Sequence, residues 1–100
     1  MAKNAKKQLK ISVSSGNVFA DLGFNTAEAQ LLAMRASLMV ELERQIKAQG
    51  MTQIVAARVL GVSQGRVSDL SRGKTEKFSL DALVTFAAKL GKPVRMELAG

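Results

Sequence analysis

The chain of 100 residues contains no cysteine, histidine, tryptophan or tyrosine, and only one proline. Without cysteine there can be no disulfide, and without cysteine or histidine the usual ligands of a structural zinc are missing. The lack of histidine also removes the side chain that most often serves as a general base near neutral pH. These absences weigh against an enzyme, and no metal or cofactor is expected. No apolar run approaches the roughly 20 residues needed to cross a bilayer, so no membrane partner is expected. The basic stretch from Lys3 to Lys10 is not followed by the apolar segment of a secretory signal. A basic chain free of cysteine fits the reducing cytoplasm.

Positive charge is plentiful. Lys and Arg number 15 against 8 Asp and Glu, a formal net charge of +7. Residues 1–10 carry +4, residues 11–50 sum to −1, residues 51–77 to +3 and residues 78–100 to +1. Cations gathered on an amino-terminal arm and a central block favour a polyanion, because each phosphate they neutralise releases counterions. Nucleic acid is the polyanion expected, which would place the protein at the nucleoid.

With 47% apolar residues, this length suits one compact domain. From Asn25 to Gln49, Leu31, Leu38, Leu42 and Ile46, flanked by Leu32 and Met39, recur at helical spacing and predict the longest helix. Asn25 and Glu28 form a capping arrangement at its start, and Gly50 follows its end. Thr52 caps a second helix reaching Leu60, Ser63 a third ending near Arg72, and Ser79 a fourth closed by Gly91 and Pro93. Leu9, Ile11 and Val13 alternate with polar residues, as do Val94, Met96 and Leu98, so two short strands are predicted. Each needs a partner, either the other strand or a copy in a second subunit; one small sheet at a dimer interface is expected, with Val94, Met96 and Leu98 as its interface residues. The expected fold is mainly α: a helix-turn-helix bundle of four to five helices, with a basic arm, strand and turn over 1–24, the helical domain over 25–91 and a strand over 92–100.

Function is concentrated between Gln53 and Arg72. Ala57 is small enough to let two short helices cross closely, Gly61 tolerates the positive φ of a tight turn, and Val62, Val67 and Leu70 bury the second helix. The opposite face is left with Gln64, Gly65, Arg66, Ser68, Asp69 and Arg72. Glutamine can hydrogen-bond adenine bidentately, arginine can read guanine or grip phosphate, and Gly65 permits close approach. A polar helix face is more often merely solvated. Here the small residue, the turn glycine and the buried pair occur together, and the three favour a helix that reads the major groove.

The stretch TQIVAARVLGVSQGRVSDLSRGK, Thr52 to Lys74, resembles without gaps the Cro/C1-type (XRE) helix-turn-helix of small phage and bacterial regulators. That resemblance implies the lambda-repressor-like fold, phosphate contacts from Thr52, Gln53, Arg72, Lys74, Thr75 and Lys77, and base reading from Gln64, Gly65, Ser68 and Asp69; Arg66, by its chemistry and face, is expected to read bases with them. Two positions depart from the pattern: Gly65 has no side chain to read with, and Asp69 repels phosphate. Asp69 can instead accept a hydrogen bond from cytosine or orient Arg66 or Arg72. Outside the motif, GNVFADLGF and KFSLDALVTFAAKLGKPV resemble HigA-like antitoxins. This wider resemblance implies a homodimer that neutralises a RelE or HigB-like toxin and represses their shared operon at a double-stranded operator. The alternative is a stand-alone or phage-derived regulator of the same type.

Other features admit two readings. Lys3, Lys6, Lys7 and Lys10 can form an arm that follows the DNA or a solvated terminus. Phe19, Leu22 and Phe24 can dock a toxin or pack in the core, and Met34, Met39 and Met96 can line an interface or the core. A metal-dependent nuclease would need cooperating carboxylates, but Glu41 and Glu43 lie two apart on a helix, and Asp21, Glu28, Asp69 and Asp81 fall on separate elements.

Overall fold

The computed structural model describes residues 9–13 and 25–98. Strand β1 (Leu9–Val13) is followed by four α-helices, α1 (Thr26–Ala48), α2 (Gln53–Leu60), α3 (Gln64–Ser71) and α4 (Leu80–Lys89), with a 3₁₀ turn at Thr75–Lys77 and strand β2 (Val94–Leu98) last. The basic residues Lys3, Lys6 and Lys7, the turn predicted over 17–24, and Phe19, Leu22 and Phe24 lie outside the described residues.

Each helix starts where a short polar side chain can satisfy a free backbone donor. Asn25 and Glu28 close a reciprocal capping box, at 2.8 and 3.4 Å. Thr52, Ser63 and Ser79 accept from Val55, Arg66 and Ala82 at 3.1–3.2 Å. Caps of this kind contribute about 1 kcal/mol apiece. At the end of α2, Gly61 adopts φ +72°, the Val62 N–H reaches the Ala57 carbonyl and the Gly61 N–H that of Arg58. This Schellman arrangement reverses the chain in one residue and sets the angle between α2 and α3. Lys89 Nζ adds a bond to the Leu60 carbonyl at 3.1 Å, placing a cation at the negative end of α2.

The core is a single cluster of Leu38, Met39, Leu42 and Ile46 of α1 with Ala56, Ala57, Leu60, Val67, Leu70, Phe78, Leu83, Phe86, Ala87 and Leu90. Met34 packs against it, while Met96 is 49% exposed. α1 is the central support, touching α3, α4 and β1. Leu31 departs from the expected face: it is 41% exposed, and Ala29 is the buried residue near the start of α1. The apolar stripe therefore shifts round the helix toward its N-terminal end.

β1 and β2 pair with each other, in parallel, with Leu9 beside Val94, Ile11 beside Met96 and Val13 beside Leu98. Parallel strands need a long crossover, and here the whole helical domain is the connection. Among the two partners open to each strand, the other strand of the same chain is the one taken. No described helix is long and apolar enough to cross a membrane.

Candidate nucleic-acid interface

The helix-turn-helix is α2, the Gly61 turn and α3. Ala56 and Ala57 are both buried where α2 meets its neighbours. Ala57 was expected there; Ala56, one position earlier, shares the crowding. Val67 and Leu70 press α3 into the core. With 100° per residue, the side opposite them carries Gly65, Ser68, Asp69 and Arg72, with Gln64 on one flank and Arg66 on the other.

Gln64, Gly65 and Arg72 are exposed, and Ser68 and Asp69 are half-buried. Gly65 has an ordinary negative φ, and a Cβ built there would meet nothing nearer than Ser63 Oγ at 3.8 Å. The fold therefore does not require a glycine at this point. Its missing side chain leaves room on the outer face only.

Arg66 does not project outward as the sequence suggested for a base reader. Its guanidinium lies 4.2 Å over the centre of the Phe78 ring and donates to the Lys77 carbonyl at 2.7 Å. Stacking and hydrogen bonding together tie α3 to the segment leading into α4. Phe78 is itself buried and meets Phe86 edge to face, with ring centres 6.1 Å apart.

Asp69 bonds neither Arg66 nor Arg72. Its carboxylate lies 3.5 Å from Lys74 Nζ and 3.9 Å from Lys77 Nζ. The Lys74 N–H also bonds the Asp69 carbonyl at 3.1 Å. Partly exposed ion pairs of this length add little stability. Their effect is positional: two loop cations are held beside the outer face of α3. On the other flank, Ser71 Oγ donates to Glu43 of α1 at 2.7 Å.

At the mouth of α2, Gln53 is exposed and the Thr52 hydroxyl accepts from Val55. Lys77 is exposed and Thr75 half-buried. The structure thus brings Gln64, Gly65, Ser68, Asp69, Arg72, Lys74 and Lys77 together on and beside α3. Arg66 lies at its flank. Val94, Met96 and Leu98 belong to β2, outside this surface.

Phe78 was missed in the sequence, although a signal was present. It stands just before the Ser79 cap, and Leu83 stands four residues past the cap, the positions of a hydrophobic staple. Both are buried in the core. An apolar groove of about 250 Å³ also opens between α1 and the end of α3, lined by Ala36, Met39, Val40 and Leu70, with Glu43 at its side. Among the described residues no cluster of three or more acidic side chains could hold a metal ion.

A family model described as a helix-turn-helix domain matches residues 18–99 of the chain. No curated protein and no solved structure matches it.

Proposed function

Because the chain belongs to this helix-turn-helix domain family, we propose that it is a sequence-specific regulator that binds double-stranded DNA as a homodimer and represses transcription in the cytoplasm. The observation that carries the reading is the outer face of α3. An eight-residue helix held from behind by Val67 and Leu70 offers an uncharged reader at Gln64, a gap at Gly65 and a cation at Arg72, with Lys74 and Lys77 alongside. α3 would enter the major groove, which is about 12 Å wide and admits one helix. Gln64, Ser68 and Asp69 would meet base edges. Gln53, with the backbone around Thr52, and Arg72, Lys74, Thr75 and Lys77 would meet phosphates, as the N-terminal ends and flanking loops of such helices do. Arg66 would position the loop.

The antitoxin reading rests on the likeness of the two flanking segments to HigA-like proteins. On that reading a RelE or HigB-like toxin is the second partner; a stand-alone regulator would have none.

The test is fluorescence anisotropy with duplexes selected from a random pool, repeated across a salt series. Binding to a two-fold symmetric site is expected, with affinity falling steeply as salt rises. Gln64→Ala should lose about 1–3 kcal/mol of discrimination at one base pair per half-site while leaving random-duplex binding intact. Selection that enriches no site would remove the sequence-specific reading.

A further inference from the structure

We propose that a second copy of this chain docks on the open edge of β2, the two β2 strands running antiparallel about a two-fold axis at Met96. β1 occupies one side of β2, and among the described residues no strand lies on the other. Unpaired strand edges are templates for another strand. Successive residues of a strand face opposite sides, so Val94, Met96 and Leu98 share one face. Val94 packs on the core, yet Met96 is 49% and Leu98 87% exposed. The apolar face thus runs off the edge of the helical layer, and among the described residues nothing covers Leu98.

The occupant follows from the order of charges. β2 reads Val-Arg-Met-Glu-Leu. Paired antiparallel about Met96, each Arg95 lies opposite a Glu97, each Val94 opposite a Leu98, and the two Met96 side chains meet. Arg95 and Glu97 are already 2.8 Å apart within one strand, so the dimer would alternate four charges on its polar face and join the apolar stripes on the other. Moving the axis to Arg95 or to Glu97 would set like charges opposite each other, which is destabilising. The edge of β1 has no such self-complementarity, since an axis at Ile11 sets Lys10 against Ser12.

This inference deepens the homodimer of the proposed function, because one eight-residue helix reads few base pairs and a two-fold pair doubles them. It is tested without DNA, by sedimentation equilibrium of the whole chain. The wild type should be a dimer. Arg95→Glu and Glu97→Arg should each weaken it about tenfold or more, since two like-charge pairs appear per dimer. Mixed together, the two variants should associate as tightly as the wild type, because every cross-strand pair is then opposite in sign. A monomeric wild type, a dimer indifferent to both changes, or a mixture no tighter than its components would overturn the proposal. Should either variant fail to fold, Met96→Cys gives a second reading. The chain has no other cysteine, and opposed antiparallel residues have Cα atoms about 4.5–5.5 Å apart, within disulfide range. Oxidation should link it to a covalent dimer, and a chain that stays monomeric under oxidation would sink the register. A dimer that binds no duplex would defeat the DNA-binding reading and leave this interface standing; a monomer that binds DNA would overturn this interface and the homodimer while leaving DNA binding standing.

Discussion

Around α3 the outer side chains are polar and three of them are tied to neighbours, whereas at the end of β2 they are apolar and flanked by one strand. Arg66 reaches Phe78 and the Lys77 carbonyl, Asp69 gathers Lys74 and Lys77, and Ser71 bonds Glu43. Met96 lies half open and Leu98 almost wholly so. The two surfaces meet water on different terms. A groove reader must keep its donors and acceptors in fixed positions while they are still hydrated, so side chains outside the contact face brace it. An exposed apolar strand gains by losing water, and a covering partner is what supplies that gain.

Four substitutions break or sharpen this contrast. The largest effect is expected at Phe78→Ala, which removes the anchor beneath Arg66 and should cost about 3–5 kcal/mol in urea unfolding. Next comes Arg66→Ala, with a loss of about 1–2 kcal/mol from the stacked cation and its hydrogen bond. If Arg66 braces the loop, duplex binding should weaken for all sequences alike; loss confined to one base pair would make it a base reader after all. Gly65→Ala should raise stability by about 0.5–1 kcal/mol, because a helical glycine is replaced where the Cβ finds room. Weaker DNA binding by that more stable variant would show that the gap serves the ligand. Smallest of all, Leu98→Ser should change the unfolding of a dilute, monomeric sample by no more than about 0.5 kcal/mol. Any larger loss of stability there would mean that the strand end is packed within one copy.

The helix ends were legible because the physics that makes them is local. Asn25, Thr52, Ser63 and Ser79 each accept a donor three residues on, a pattern that needs no knowledge of the rest of the chain. The turn at Gly61 and the burial of Val67 and Leu70 were legible for a similar reason, since spacing along a short helix decides the face. Leu31 was misplaced because α1 is long and its neighbours do not cover it evenly. Where Arg66 and Asp69 point was not legible either. A long side chain has several rotamers of similar energy, and the choice depends on partners five to twelve residues away, Lys74, Lys77 and the Phe78 ring.

The same division holds for the whole chain. Composition, caps and apolar spacing by themselves determined the helices, the helix-turn-helix and the basic character of its surroundings, since each depends on residues within a turn or two of one another. Tertiary structure decided that the two terminal strands meet in parallel, that Phe78 is buried in the core, and that Arg66 turns to the Phe78 ring and the Lys77 carbonyl. Those outcomes join residues far apart in the chain, where the preferences of single residues are weak and only packing and shared hydrogen bonds choose among them.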